Sequence, residues 1–595
     1  MADPISSTII GAIAGPIFDQ MWQAGSGVFG WIQKYRTKKD LEKKLISAIR
    51  RYEDRYRDRH GQIKVMPGLM KEPVPLDSIY TAVKLLNDRD LRYFRPEQDL
   101  EEAYRQSPRR SFQLGSDKRV DGMAIANQKQ FLMVLGGPGI GKSTFLRKLG
   151  SEALKKDGQF KQARIPVFVE LKGLRKQDVD LFKVIAEEFE TCGFPAAKDF
   201  TAKALEQGSL LVLLDGLDEV PKQNLNAVTE CIEDFVDRHD RNCFVASCRI
   251  AAYDSSFRRF TDVTIAEFDD EQIEQFIKRW FNSKQDRQEQ TAERYWEMLS
   301  QPENKGAKEL AQTPLLLTFL CLVYDREQTL PKVRSSLYGD ALNILLKEWA
   351  AQKRLERDPI YEGFYPDLEK ELLAQIAYDS FVQDQLFFSK TDITKKITDF
   401  LSDTLDVPKR LDGEAVLKAI EVQQGLLVER ATETYSFSHL TIQEYLTAQY
   451  IVSNSLVEEV VEAYALRDKW REVLLLIAGL SGKRLQILLL ALEREALKHL
   501  DASQKLRDLV EWAETVTNTA PIGYENRATA LAIAIDSAIA RAIAIDSAID
   551  SASAIVSASA SARAIVRASA IVRASAIDRA IDRADPSSAP EPDPE

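Results

Sequence analysis

Histidine and cysteine are scarce in this chain. Its 595 residues include four histidines and five cysteines, and the cysteines form no Cys-x-x-Cys pair. Zinc sites need clusters of these residues, so the sequence argues against such a site. Scattered thiols of odd number are typical of a reducing compartment.

A long apolar run is missing near the N-terminus. The stretch from Ile9 to Phe18 has only ten residues, and Asp19 and Gln20 follow it directly. Ten residues are too few to cross a bilayer as a helix, and no positively charged segment of a secretory signal precedes them. We therefore expect a cytoplasmic location.

An excess of basic charge is also absent. Acidic residues outnumber lysine and arginine by 91 to 80, which gives a formal net charge of −11 at pH 7. Nucleic acid is a polyanion, and an acidic chain offers no overall field that would attract it. Nucleic acid is therefore not an expected partner, although the composition leaves room for a local basic patch.

Short aliphatic runs are present between about residues 130 and 268. Four runs of four or five residues alternate with amphipathic stretches, namely Phe131–Leu135, Ile165–Val169, Leu210–Leu214 and Cys243–Ala246. Such runs are typical of buried parallel strands. Their alternation with helical patterns predicts a doubly wound α/β domain.

A glycine-rich segment follows the first run. It matches the pattern G-x-x-x-x-G-K-[ST] and comprises Gly136, Gly137, Pro138, Gly139, Ile140, Gly141, Lys142, Ser143 and Thr144. Glycines let successive backbone N–H groups turn toward phosphates, and the following helix adds its positive dipole end. Lys142 would reach the β- and γ-phosphates, Ser143 would ligate Mg²⁺, and Thr144 could contact the α-phosphate. A flexible glycine turn would not explain the strand before the segment and the helix after it.

Acidic residues follow the third run. Asp215 comes directly after it, and Asp218 and Glu219 lie in the next turn. A carboxylate that ends a strand beside a phosphate-binding loop can hold Mg²⁺ through water, which is the role predicted for Asp215. As catalytic residues, Asp218 or Glu219 could orient or deprotonate the attacking water. Asp218 could instead cap the next helix.

Arg249 follows the fourth run, after Ser247 and Cys248. Ligands of open α/β sheets bind at the carboxyl ends of the strands, so Arg249 is a third catalytic candidate that could sense the γ-phosphate. An arginine in such a place is more commonly part of a surface ion pair. Cys248 is more commonly just a small buried residue.

These motifs together resemble the NACHT family of STAND signalling NTPases. The particular mark of that family is a glycine directly after the Mg²⁺ aspartate, with an acidic pair shortly downstream, here Gly216 followed by Asp218 and Glu219. Two later segments are also similar to the family. Gln312–Leu317 is similar to part of its helical domain, and Phe437–Tyr445 is similar to the end of its winged helix.

The resemblance covers roughly residues 115–515 and implies roles for two further residues. Pro314 would lie near the adenine, and His439 would contact the β-phosphate of ADP in the resting state. ATP is then expected rather than GTP. Taken alone, a single histidine before an amphipathic helix is more commonly a packed core residue or the neighbour of a helix cap.

The predicted architecture is multidomain, with an α/β part and several α-helical parts. The predicted domains are a helical N-terminal effector or adaptor domain (1–120), a P-loop NTPase core with a doubly wound parallel sheet (121–268), a helical domain (269–345), a winged helix (346–438), a C-terminal helical domain (439–520) and a low-complexity tail (521–595). No glycine or proline lies between Gly523 and Pro586, so the alanine-rich tail favours helix. A repeat-expanded tail without fixed packing is the alternative, and the last ten residues are expected to be disordered.

The resemblance implies a switch driven by ATP and ADP, with slow hydrolysis as its timer. ADP would hold the domains closed, and exchange for ATP would let them open and form a homo-oligomer. Bacterial proteins of this kind resemble anti-phage defence systems, and a phage product is one candidate for the unknown trigger. An ATP-dependent transcriptional regulator that binds DNA through its winged helix is the alternative. The acidic charge balance and the apolar hairpin near Leu426 argue against it.

The N-terminal region carries glycines whose spacing suits close helix packing. Gly11 and Gly15 are four residues apart, and Gly25, Gly27 and Gly30 follow. Helices of this kind can pack in lipid, and the basic stretch after residue 33 could touch anionic headgroups, so membrane contact is one hypothesis. A helical adaptor domain with tight glycine and alanine packing is the other.

Overall fold

The computed structural model of the chain describes residues 13–17, 38–64, 72–87, 97–106, 119–174, 180–194, 196–253, 257–327, 334–348, 366–403, 412–423 and 425–502, with a few single positions besides. The chain forms two compact units. The first comprises Met1–Leu330, Asp340–Leu368 and Leu386–Thr441, and the second comprises Pro331–Gly339, Glu369–Gln385 and Ile442–Glu595. The low-complexity tail from residue 521 and the glycines 11, 25, 27 and 30 lie outside the described residues.

The first elements of the chain precede the glycine-rich segment. They are α1 (Lys38–His60), β1 (Gln62–Ile63), β2 (Val74–Pro75), α2 (Leu76–Ile79), β3 (Lys84–Asn87), α3 (Glu97–Gln106) and β4 (Val120–Asp121). β1 and β2 form a small antiparallel pair. β3 and β4 belong to the central sheet described next.

The α/β core follows in chain order. Its elements are α4 (Gly122–Gln128), β5 (Phe131–Leu135), α5 (Lys142–Ala153), β6 (Ile165–Glu170), a 3₁₀ turn (Leu171–Gly173), α6 (Leu181–Thr191), α7 (Ala197–Gln207), β7 (Leu210–Asp215), a 3₁₀ turn (Leu217–Glu219), α8 (Lys222–Arg238), β8 (Cys243–Cys248), a 3₁₀ turn (Ile250–Ala252) and β9 (Thr261–Ile265). The four predicted runs are the strands β5 to β8, so this part of the prediction is confirmed.

The central sheet has seven strands in the order β4-β3-β9-β5-β8-β7-β6. The five strands from β9 to β6 are parallel, while β3 runs antiparallel to both β9 and β4. β5, β7 and β8 are nearly all apolar because helices cover both faces of a parallel sheet. The sheet contains strands from both sides of the predicted domain boundary at residue 120. The carboxyl ends of β5, β8 and β7 lie side by side at one edge of the sheet.

Helix α1 packs on this core. Its Tyr52 and Tyr56 side chains are buried in the same apolar cluster as the sheet, and the Tyr52 hydroxyl donates to the carbonyl of Pro166 at 2.5 Å. Gly150 of α5 makes room for this helix, because a Cβ atom there would lie 1.8 Å from the Tyr56 hydroxyl. α1 is therefore part of the NTPase core, although it lies about eighty residues before the phosphate-binding motif.

A helical segment and a winged helix follow the α/β core in the chain. The helical segment contains α9 (Asp270–Trp280), α10 (Lys284–Glu289), α11 (Thr291–Leu299), a 3₁₀ turn (Pro302–Asn304), α12 (Lys305–Leu310) and α13 (Pro314–Glu327). Next come α14 (Arg334–Asn343), a π turn (Ile344–Glu348), α15 (Pro366–Val382), β10 (Phe388–Ser389), α16 (Lys390–Asp403), α17 (Gly413–Gln423), β11 (Leu427–Ala431) and β12 (Thr434–Phe437). The last five of these elements, with sheet order β10-β12-β11, form the predicted winged helix and its hairpin.

The second unit includes most of α15, and its described residues from Ile442 to Ala502 are mainly helical. It contains most of α18 (Leu440–Ser453), then α19 (Val457–Tyr464), a 3₁₀ turn (Asp468–Trp470), α20 (Arg471–Ser481), a 3₁₀ turn (Gly482–Arg484) and α21 (Leu485–Ala502). Trp470 is fully buried and stacks on Tyr464 with ring centroids 4.3 Å apart. Within the described part of the chain, the stretch Arg471–Ala502 is the one with enough length and apolar character to cross a membrane. Core helices of globular domains meet the same test.

Candidate nucleotide-binding site

The glycine-rich segment forms a loop between β5 and α5. Gly139 has φ +70° and Gly141 has φ +101°, and both values fall in the left-handed region that glycine adopts without strain. α5 begins at Lys142 directly after this turn. The Lys142 ammonium donates to the carbonyls of Gly136 at 2.8 Å and Gly137 at 3.0 Å. The loop thus has the strand–loop–helix setting that the motif predicts.

Two segments outside the α/β core contact this loop. The backbone N–H of Leu315, at the start of α13, donates to the carbonyl of Gly139 at 3.2 Å. Gly425, which precedes β11 of the winged helix, lies so close to Pro138 that a Cβ atom on it would be 2.4 Å from the proline Cδ. Sequence reasoning did not find Gly425, because a single glycine before a strand carries no signal of a distant partner.

Asp215 ends β7 beside the loop. It is buried, and the Ser247 hydroxyl donates to its Oδ1 at 2.7 Å while accepting from the N–H of Gly216 at 2.9 Å. These bonds fix the orientation of the carboxylate. The described residues contain no group of three or more His, Cys, Asp or Glu that could hold a metal. Mg²⁺ usually binds one or two protein ligands and takes its other ligands from phosphates and water. Ser143 and Asp215 therefore suit a Mg²⁺ ion that a bound nucleotide also ligates.

Asp218 and Arg249 form a buried ion pair. Arg249 Nε lies 2.8 Å from Asp218 Oδ2, and the Arg249 backbone N–H donates to Oδ1 at 3.1 Å. The Arg249 side chain is only 2% exposed and the Asp218 side chain only 3%. Two residues expected to act on the nucleotide thus bind each other, and the ion pair is internal rather than on the surface. Glu219 is partly exposed, and Cys248 is a buried thiol whose pKa is raised by burial.

Removal of one partner of this pair should destabilise the protein strongly. Asp218→Ala leaves the Arg249 guanidinium buried without its carboxylate, so we expect the free energy of unfolding to fall by about 3–5 kcal/mol. Denaturant unfolding measures the change. Asp218→Ala combined with Arg249→Met should recover much of the loss. Asp234→Ala, which breaks the exposed pair with Arg238, should change little. Equal effects of the two single substitutions would contradict a buried pair.

A cavity opens beside the loop. It is lined by Ile63, Ile79, Tyr80, Thr81, Val83, Gly139, Ile140, Gly141, Lys142, Ser143, Thr144, Arg249, Phe268, Phe276, Pro314, Leu315 and Thr318. The structure therefore brings Pro314 and Arg249 to the same cavity as the loop. Residues 79–83 were not predicted as part of the site, because nothing in their composition distinguishes them from other apolar sequence.

His439 is buried close to this cavity but is not among its lining residues. Its Nε2 lies 3.1 Å from the hydroxyl of Thr313, the residue before Pro314, and its Nδ1 lies 3.1 Å from the hydroxyl of Ser438. Burial, together with the positive charge of Arg430, lowers the pKa of His439 to about 3. The imidazole is therefore neutral at pH 7, and its contact with a nucleotide stays a prediction.

Buried polar contacts join the helical segment to the residues around His439. The Thr441 hydroxyl donates to Glu309 Oε2 at 2.6 Å, and the N–H of Leu440 donates to Glu309 Oε1 at 2.5 Å. Glu309 of α12 therefore caps the first turn of α18, where a negative charge is favoured. Nearby, Arg430 of β11 lies 3.6 Å from Glu267.

A parallel sheet with a glycine-rich loop between its central strand and the next helix is the fold of P-loop NTPases. Residues 130–284 match the family model of the NACHT domain, and residues 334–451 match that of the winged helix-turn-helix domain C-terminal to NACHT. The chain therefore carries a NACHT domain followed by the winged helix that accompanies it. Comparison with curated protein sequences finds no significant match.

Several solved structures show partial likeness to this chain. RuvB from Thermotoga maritima is 12% identical over 53% of this chain and 89% of its own, with a TM-score of 0.25. ORC1 from Aeropyrum pernix, in complex with DNA, is 13% identical over 60% of this chain and 93% of its own, with a TM-score of 0.26. A STAND protein with a tetratricopeptide repeat sensor from Pyrococcus horikoshii is 13% identical over 72% of this chain and 61% of its own, with a TM-score of 0.23.

Proposed function

We propose that this chain is an ATP- and ADP-dependent signal-transduction switch of the STAND type, whose domains open and assemble into a homo-oligomer when triggered. The observation that carries the proposal is the contact of the phosphate loop with two further segments. Leu315 of the helical segment and Gly425 of the winged helix both touch it. A nucleotide in the loop would therefore interact with three modules at once, and a nucleotide that binds one arrangement better shifts the population toward it.

The residues of the loop would hold the phosphates. Phosphate oxygens are charged and accept stronger hydrogen bonds than backbone carbonyls, so they would draw Lys142 from Gly136 and Gly137. Bound Mg²⁺ would neutralise part of the phosphate charge, with Ser143 and Asp215 as its protein contacts.

The residues around the reacting phosphate suit slow hydrolysis. Asp218 already binds Arg249, which makes Glu219 the better candidate for orienting the attacking water. A triphosphate that drew Arg249 toward its γ-phosphate would have to weaken this ion pair. We therefore expect hydrolysis to be slow and to act as a timer for the switch.

His439 would report the diphosphate state. Its neutral imidazole can exchange the Thr313 hydroxyl for an oxygen of the β-phosphate without bringing a second charge into the interior. Because His439 follows the hairpin of the winged helix, this contact would hold the winged helix on the ADP-bound core. Loss of the contact would free it to move.

Binding of DNA through the winged helix is not favoured. All four residues of β12 are buried, so this strand of the hairpin offers no surface to a duplex. Arg430 of β11 uses its guanidinium internally, with the Ser436 hydroxyl at 3.0 Å and the carbonyl of Ser438 at 2.9 Å. Base and phosphate contacts need exposed basic side chains.

A role in bacterial anti-phage defence is the finer part of the proposal. It is supported by the NACHT and winged-helix matches, because bacterial proteins with these domains resemble defence systems. Cells that express the protein should reduce the plating efficiency of at least one phage in a panel, and Lys142→Ala should abolish the protection. Protection by Lys142→Ala equal to that of the unchanged protein would overturn the defence role as a nucleotide-dependent function.

The state of the purified protein gives a second measure of the switch. We expect bound ADP and a small particle from uninfected cells, and a larger assembly from cells infected with a sensitive phage. Rapid multiple turnover of ATP by a protein that stays monomeric would count against a switch.

Membrane contact by the N-terminal region can be scored in the same cells as phage-dependent loss of membrane integrity. Its absence would favour the adaptor alternative.

A further inference from the structure

One wall of the nucleotide cavity comes from a segment far from the loop in sequence. Ile79, Tyr80, Thr81 and Val83 all line the cavity. They are held there because β3, which follows them, pairs with β9, and β9 lies next to β5 in the sheet. The order of the strands therefore places residues 79–83 beside a loop that begins more than fifty residues later.

Thr81 differs from Tyr80 and Thr318, the other hydroxyl-bearing residues of the cavity outside the loop. It is 3% exposed, and its hydroxyl has no hydrogen-bond partner among the described residues. Thr318 is also 3% exposed, but its hydroxyl donates to the carbonyl of Pro314 at 2.8 Å. The Tyr80 hydroxyl interacts with the backbone of Val83. A buried hydroxyl without a partner is costly, and a ligand that supplies the partner recovers that cost.

The remaining wall outside the loop is mostly apolar. Its side chains include Ile63, Ile79, Val83, Phe268, Phe276 and Leu315. Such a wall accepts the flat face of a base but leaves polar groups on its edge unsatisfied. Adenine presents one amino group and ring nitrogens, whereas guanine adds a carbonyl, a ring N–H and a differently placed amino group. A site with few polar groups therefore penalises guanine more than adenine.

We infer that the Thr81 hydroxyl hydrogen-bonds the base of the bound nucleotide and makes the site prefer adenine to guanine. The inference rests on the proposed function, since the cavity must bind a nucleotide for Thr81 to read its base. It assigns base recognition to a residue before the central sheet, outside every motif of the phosphate loop. Thr81 acts as a specificity-determining residue and takes no part in phosphate transfer.

The test is displacement of a ribose-labelled fluorescent ADP by ATP and by GTP. The full-length protein should bind ATP at least about tenfold more tightly than GTP. Thr81→Val removes the hydroxyl and keeps the shape, and it should weaken ATP binding by about fivefold to tenfold with little change for GTP. Thr81→Ser retains a hydroxyl and should keep the preference. Thr318→Val is the matched control, because its hydroxyl already has a partner, and it should leave the preference unchanged.

The outcomes separate the inference from the proposed function. Failure of the unchanged protein to bind any nucleotide would defeat both. Normal ATP binding, with the same ATP to GTP ratio in Thr81→Val as in the unchanged protein, would overturn the inference alone. An equal loss in Thr81→Val and Thr318→Val would also overturn it, since any disturbance of the wall would then suffice. If Thr81→Val unfolds at the assay temperature, Thr81→Ala can replace it. Thr81→Ala also removes the hydroxyl, adds no volume and allows the same comparison of ATP with GTP.

Discussion

Replacement of Lys142 by alanine is expected to lower the affinity for ATP and ADP about 100-fold. Lys142 carries the one side-chain charge of the loop Gly136–Thr144, and we expect it to bind the phosphates. A hydrogen bond to a charged group contributes about 1.5–3 kcal/mol. Lys142 is partly exposed and donates to two backbone carbonyls of its own loop, bonds that water can replace, so its substitution should change the melting temperature of the nucleotide-free protein little. Isothermal titration calorimetry with ATP and with ADP measures the affinity.

The control for this experiment is Lys155→Ala. Lys155 lies just beyond the end of α5 and pairs with Asp77 and Glu152 at 2.7 Å each. Its substitution removes the same charge from the same part of the fold but not from the loop, and we expect nucleotide affinity within about twofold of the unchanged protein. Tight nucleotide binding by Lys142→Ala would show that the loop is not the phosphate site.

Replacement of Gly425 by alanine is expected to accelerate the release of ADP by tenfold or more. Gly425 has φ +61°, a conformation that costs alanine about 1–2 kcal/mol. The new methyl group would also lie 2.4 Å from Cδ of Pro138, so the winged helix would have to move away from the loop. Stopped-flow release of fluorescent ADP measures the rate, and light scattering after size-exclusion chromatography detects assembly without a trigger.

Two variants separate the contact with Pro138 from backbone strain. Gly482 also has positive φ, but no atom lies within 4 Å of a Cβ built on it, so Gly482→Ala should leave ADP release unchanged. Pro138→Ala combined with Gly425→Ala removes the ring atoms that collide and should return the rate toward that of Pro138→Ala alone. Unchanged ADP release in Gly425→Ala would mean that the winged helix does not control the loop.

Local patterns in the sequence were enough to predict the strands β5 to β8 and the phosphate loop. Each of those strands is a short apolar run bounded by polar residues, and the loop needs glycines at fixed spacing. β9 was not predicted, because three of the five residues of Thr261–Ile265 are polar and the segment contains no continuous apolar run. The edge strand β4 and its neighbour β3 were not predicted either, because they are short and sit in a segment whose pattern is otherwise helical.

The parts of the site that depend on packing between distant segments could not be predicted. Asp218 and Arg249 were both identified, but their pairing follows from the adjacency of β7 and β8, which no local pattern specifies. Gly425 and Thr81 were not identified, since one is an isolated glycine and the other an isolated threonine. Pro314 and His439 were found only through the resemblance to a known family, because neither residue type indicates a nucleotide by itself.

The packing of α1 on α5 determines where the polypeptide can be divided. Tyr52 and Tyr56 fill space in the NTPase core, and Gly150 is shaped to receive one of them. A truncation at residue 60 would therefore remove part of that core along with the N-terminal region and would expose the carbonyl of Pro166. Ala14 and Ile17 are buried in the same apolar cluster, so chimeras that exchange N-terminal modules should keep these two residues together with α1.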